Sequence, residues 1–117
     1  MKAFKLININ GSASSFKEGF IKEHTKIAAE HFLFQTDIEK YELTAHPAPR
    51  YQFVVTLKGK LKFTVTDGCF FIIEPGIILI ANDLKGKGHT WEILDGDEWQ
   101  RVYIVPPPDS EDCFTEN

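Results

Sequence analysis

The first 108 residues of this chain read as one all-β domain, a sandwich or barrel of about ten short strands. Three observations predict it. Phenylalanine (ten residues), valine and isoleucine outweigh alanine and leucine, the balance of a chain that packs pleated surfaces. Turn signals punctuate the chain at short intervals, at Asn10-Gly11, Asp67-Gly68, Pro75-Gly76 and Asp95-Gly96. Between them, apolar residues alternate with polar ones, most cleanly where Leu61, Phe63 and Val65 alternate with Lys62, Thr64 and Thr66.

In chain order, Lys2 to Asn10 alternates loosely as a strand and ends at Asn10-Gly11 and a serine run. Phe16 to Ile21 follows as an edge strand. Ile27-Ala28-Ala29 is too short a run for a helix. His31 to Ile38 is a strand with Phe32 and Phe34 on one face. Pro47 and Pro49, which lack an amide hydrogen, make the entry to the next strand extended and rim-like.

Tyr51 to Leu57 is the strongest strand and is apolar on both parities, with Tyr51, Phe53, Val55 and Leu57 on one side and Val54 with Gln52 and Thr56 on the other. Such a strand needs cover on both faces. One face can look into a barrel, and the other predicts a homodimer that buries a sheet face symmetrically. Lys58-Gly59-Lys60 and Asp67-Gly68 read as hairpins. Phe70 to Ile73, Ile77 to Ala81, His89 to Leu94 and Trp99 to Val105 complete the set, with Asp95-Gly96-Asp97 turning the last pair. Pro106-Pro107-Pro108 ends the domain, and the acidic tail from Asp109 to Asn117 is expected to fray.

At 117 residues one domain can bury well over ~60% of its unfolded surface without disulfides or a structural metal. A net charge of −4 with the 13 basic residues in no cluster excludes a phosphate-binding stripe, so no nucleic-acid partner is expected. Met1 to Lys5 leads into no continuous apolar run, and no stretch approaches the ~20 residues of a membrane span. A cytoplasmic setting without membrane partners is the expectation. Cys69, beside Phe70 and Phe71, reads as a small buried hydrophobe, and neither it nor Cys113 has the electropositive neighbours of a nucleophile.

The run His46-Pro47-Ala48-Pro49-Arg50 through Gly59, then Asp67-Gly68, Glu74-Pro75-Gly76 and Gly86-Lys87-Gly88-His89, resembles the cupin superfamily, and within it the small single-domain bacterial cupins. The likeness covers Thr44 to Val105 well and the first third loosely. It implies a double-stranded β-helix, a jelly-roll barrel, with N-terminal strands in residues 1–45 and the core motifs in 46–105. Under that topology Lys40 to Ala45 supplies one more short strand. Many cupins hold a divalent metal with two histidines and a glutamate from a first motif and one histidine from a second. Carried over, His46 matches the first histidine and His89 the last. Ala48 stands where the second histidine would be, Gln52 in the glutamate position, and Ile77 where many cupins have an aspartate.

The implied metal ligands are therefore His46, Gln52 and His89, and the implied metal zinc, nickel, iron or manganese. A neutral amide in place of a carboxylate about 2 Å from a dication weakens the attraction by several kcal/mol even at an effective dielectric near 20. A catalytic metal usually has three protein ligands and an open position. Gln52, heading an otherwise apolar strand, is a buried amide that must be satisfied by the fold or by a guest. Arg50 could hold a carboxylate bidentately, against the alternative of a solvated rim arginine. Trp91 and Tyr103 could wall a cavity or pack as ordinary core. The glycines around Lys87 serve turn geometry rather than a phosphate loop. His24 and His31 read as surface histidines, and Glu42, Glu74 and Glu92 pair with nothing obvious.

Three functions follow as expectations. The first is a barrel binding a small polar molecule, carboxylate or sugar-like, through His46, Arg50, Gln52, His89, Trp91 and Tyr103. The second is a metal-dependent oxygenase or isomerase on His46, Gln52 and His89. The third is a barrel that mainly assembles with itself.

Overall fold

The computed structural model describes all 117 residues. Eight strands make one mixed sheet: β1 Lys2–Ile9, β2 Ala13–Ile21, β3 His31–Gln35, β4 Gln52–Thr64, β5 Phe70–Ile73, β6 Ile78–Ala81, β7 Thr90–Val105 and β8 Phe114–Glu116. A 3₁₀ turn spans Lys40–Leu43, and there is no α-helix. The order is β3-β7-β4-β6-β1-β2-β8, with β5 beside the second half of β4. Every pairing is antiparallel except β1 with β6. The sheet curls into a half-barrel around its own core.

Eight strands replace the ten expected: two hairpins do not form, Lys40 to Ala45 is no strand, and Phe114–Glu116 is one more. β4 runs straight through Gly59 and β7 straight through Gly96. The two pair on both sides of these glycines, slipping register three times between Thr56 and Leu61, with Gly96 to Trp99 left unpaired. A glycine at positive φ reads locally as a turn, but where the partner strand continues alongside it makes a bulge. Gly59 sits at φ +125°, and a Cβ there would lie 3.0 Å from the Glu98 carbonyl oxygen. The slip changes which parity faces inward. Before it the buried inner residues are Gln52, Val54 and Thr56, and after it Leu61, Phe63 and Val65. The turns at Asp67-Gly68 and Pro75-Gly76 form as read, with Gly68 N–H bonded to Val65 and Ile77 N–H to Glu74.

The core fills the concave side. Phe4 stacks on Phe71 at 4.7 Å and Phe71 on Phe63 at 5.4 Å, with Leu6, Leu61, Ile73 and Leu79 closing around them. The convex side of β4 carries Phe53, Val55 and Leu57, the apolar set that needs a second cover. Part of that cover is the segment after β2, where Lys22 to Thr25 and Ile27 line an apolar groove together with Phe53, Val55, Ile78 and Ile104.

Three further expectations are corrected. Lys40 to Ala45 is no strand, because the Glu42 carboxylate takes the Glu39 amide at 2.7 Å and winds the segment into a 3₁₀ turn. The C-terminal tail does not end frayed: Phe114 to Glu116 pairs on β2, and Asp112 makes an ion pair with Lys5. Cys69 is exposed at the β4–β5 turn rather than buried. There its amide donates to Asp67, and the hydrogen bond to that carboxylate pushes its thiol pKa up. His24 and His31 are exposed, as read.

Candidate functional site

The inner face of the half-barrel closes on a small cavity. Its lining includes His46, Gln52, His89, Trp91 and Tyr103 from the sequence-derived set, with Tyr41, Glu42 and Trp99 added. The enclosed space is about 30 Å³, inside some 370 Å³ of unfilled volume counted out to the mouth. The smaller figure measures what a guest can occupy without rearrangement, room for one or two water-sized groups.

Two loops far apart in sequence supply the histidines. His46 lies on the chain that the two prolines hold extended, and His89 follows the Gly86-Lys87-Gly88 turn. The two residues form an isolated antiparallel bridge, exchanging both main-chain hydrogen bonds at 3.0 Å. Their ring centroids are 4.9 Å apart. Gly88 makes this approach feasible: it sits at φ +80°, and a Cβ there would fall on the His46 carbonyl.

Each imidazole is then fixed by what its Nδ1 meets. His46 Nδ1 lies 2.7 Å from the Thr44 carbonyl oxygen, which can only accept, so that nitrogen carries the proton. His89 Nδ1 lies 2.6 Å from Oδ2 of Asp83, a wholly buried carboxylate that also accepts from Ser14 Oγ at 2.7 Å. Both rings are therefore donors at Nδ1. Their Nε2 atoms have no protein partner, and in neutral rings each is a lone pair. Asp83 Oδ1 has no partner either.

Ser14, Asp83 and His89 resemble the parts of a catalytic triad in the wrong order. The hydroxyl bonds the carboxylate and not the imidazole, so the histidine is not placed as its general base. The chain Ser14–Asp83–His89 fixes the orientation and tautomer of the ring.

Gln52, the first residue of β4, is 3% exposed, and its Oε1 has no hydrogen-bond partner. Such an atom costs about 1–3 kcal/mol unless something satisfies it. Above it, Trp99 donates Nε1–H to Thr56 Oγ1 at 3.1 Å and packs on Trp91 at 5.0 Å.

Behind the lining residues Glu42 and Tyr103 is a buried ion pair absent from the sequence reading. Arg101 is 1% exposed, and its Nη2 donates to both oxygens of Glu42 at 3.1 and 3.3 Å. Its Nη1 donates to the Trp99 and Thr36 carbonyls, and its Nε to the Tyr103 hydroxyl at 3.0 Å. Tyr103 donates in turn toward Glu42 at 3.5 Å. Burial pushes the Tyr103 pKa up to about 12, against the opposing influence of Arg101. Glu42 is thus committed to Arg101 and is no free third carboxylate. The sequence held one clue to it, an acidic residue three positions after Glu39, the spacing of a helix-start carboxylate. Nothing local marks Arg101.

Arg50 is the one candidate not brought in. It stands outside the lining with its guanidinium 6.0 Å from the Tyr103 ring centroid. Residues 47–51 are not strand, so the alternation that would align it with Gln52 does not hold there. No group of three or more histidine, cysteine or acidic side chains is placed to share a metal. Among known proteins the chain matches no family model, no curated protein and no solved structure.

Proposed function

We propose that the half-barrel is a cupin-type double-stranded β-helix whose interior binds one small polar guest that donates hydrogen bonds. One observation carries this reading: both imidazoles are held at Nδ1, by Thr44 and Asp83, which leaves two Nε2 lone pairs on residues that line the same cavity as the unpartnered Gln52 Oε1. Those lone pairs favour a guest with an O–H or N–H donor, while a carboxylate, which brings only acceptors, finds donors there only in the Gln52 amide N–H and the Tyr41 hydroxyl. The room of about 30 Å³ suits a guest of one or two heavy atoms, or the donor end of a larger one reaching in past Tyr41. A sugar ring needs the mouth to open. A cytoplasmic setting belongs to this reading, since Cys69 and Cys113 are free thiols. No helix is long and apolar enough to cross a membrane.

The same pinning favours a second reading, a divalent metal on His46 and His89 with the Gln52 amide oxygen as third ligand. Metal-bound histidines characteristically donate the other ring N–H to a carbonyl or carboxylate. Two imidazoles and a neutral oxygen fit zinc or nickel better than the carboxylate-seeking iron or manganese. A bound ion would supply Lewis acidity. The protein's own part is to hold both rings, keep their Nδ1 protons in place and exclude bulk water with Trp91, Trp99 and Phe63.

Nitrogen-15 spectra of the histidine rings test both readings. Rings 46 and 89 should show protonated Nδ1 and bare Nε2. Small alcohols or amines should move the Nε2 signals under the first reading, and zinc or nickel under the second. An Nε2–H tautomer in both rings would remove the basis of each.

A further inference from the structure

β3 is a free edge of the sheet. Its residues His31, Phe32, Leu33, Phe34 and Gln35 include no proline and no formal charge at neutral pH. Free edges are ordinarily guarded by lysine, proline, a bulge or a covering loop. β3 has none of these in its span and pairs with β7 residue for residue without a bulge. Phe32 is 58% exposed, Leu33 41% and Phe34 73%.

The two phenylalanines continue the convex apolar face to that edge. Phe32 lies in register with Ile104 and then Phe53, and Phe34 with Val102, Val55 and Ile78. At about 200 Å² for each phenylalanine, the two leave roughly 260 Å² uncovered. That is about a third of the ~800 Å² that one partner buries in a standard interface. Leu33, the unpaired main chain of β3 and the groove beside Val55 adjoin it.

We propose that the occupant of this edge is a second copy of the chain, its β3 antiparallel to this one about a two-fold axis at Leu33. The strand is complementary to itself in that register. Phe32 meets the partner's Phe34, Leu33 meets the partner's Leu33, and His31 meets the partner's Gln35. Aromatic pairs face each other on the convex side, aliphatic residues on the other, and no like charges meet. Such an isologous edge closes on itself and joins two half-barrels through one continuous sheet. The pairing uses nothing from the cavity, so it stands or falls apart from the guest.

Sedimentation equilibrium of the full chain at micromolar concentration tests it. The expected result is a dimer that Phe34→Glu converts to monomer, with the far-ultraviolet circular dichroism retained because Phe34 is surface-exposed. The double variant Phe32→Lys/Phe34→Glu sets opposite charges across the axis and should restore the dimer. A monomeric parent chain, which would leave this edge to an unrelated partner strand, overturns the proposal. A dimer indifferent to Phe34→Glu overturns it as well, and a double variant that stays monomeric overturns the register.

Discussion

His46 and His89, forty-three residues apart in the chain, exchange both main-chain hydrogen bonds at 3.0 Å and stand with ring centroids 4.9 Å apart. The bridge fixes two loops to each other at the level of the backbone, before any ring chemistry is considered. Each ring is then aimed by a separate acceptor. The site is thereby preorganised, and its geometry does not wait on a guest.

Gly88→Ala should break the bridge. The added methyl falls on the His46 carbonyl, and the backbone at φ +80° is strained for any residue but glycine. A loss of about 1–3 kcal/mol is expected, with faster hydrogen exchange at the His46 and His89 amides. Gly68→Ala is the control: it also has positive φ but meets open space. Unaltered exchange at both histidine amides in Gly88→Ala would count against the close approach.

Asp83→Ala removes the acceptor shared by His89 and Ser14 in a wholly buried setting. The expected cost is about 2–3 kcal/mol in urea unfolding. The ring of His89 should then sample both tautomers in its nitrogen-15 spectrum, while that of His46, held by Thr44, keeps one. If both rings kept a single tautomer, Asp83 would not be what orients His89.

Glu42→Ala leaves the Arg101 guanidinium buried without its carboxylate and should cost about 3–5 kcal/mol. Pairing that change with Arg101→Met should recover much of the loss, because the apolar side chain no longer carries an unpaired charge. Equal losses in the single and double variants would show that the ion pair is not the origin of the effect.

Tyr103 gives the chain a stability limit in alkali. Its phenol, raised to about 12 by burial, keeps its proton in the folded state after the unfolded chain has begun to lose its own near pH 10. The unfolded state then binds fewer protons, so stability is full below pH 10 and falls between about pH 10 and 12. The contribution of this one group to that fall is roughly 2–3 kcal/mol. Tyr103→Phe should flatten the decline in urea titrations across that window. Tyr51, raised to about 12 chiefly by burial, should also ionise late in an absorbance titration.

Much of the site was legible because its residues fall in short motifs that resemble those of a known superfamily. The resemblance to cupin motifs marks His46, His89 and Gln52 as inward candidates, Gln52 also as the polar head of an apolar strand, and all three line the cavity. Trp91 and Tyr103, each an apolar body with a polar tip, line it as well. Arg101 and Glu42 could not be read this way. They are fifty-nine residues apart, and a buried charge is recognisable only once its partner is beside it. Arg50 lies outside the lining, and its sequence context does not distinguish an arginine that holds a carboxylate from one at a rim.

The all-β class, most strand positions and the two turns at Asp67-Gly68 and Pro75-Gly76 come from the sequence by itself, because alternation and positive-φ glycine are properties of a few adjacent residues. Whether Gly59 and Gly96 turn the chain or bulge it depends on whether a partner strand continues alongside, which no local pattern contains. Tertiary structure decided that, and with it which parity of β4 faces the cavity. It likewise decided that Asp83 and Thr44 hold the two rings so that their remaining nitrogens are lone pairs, since hydrogen-bond partners across the fold set the tautomer and the ring's own neighbours in sequence do not.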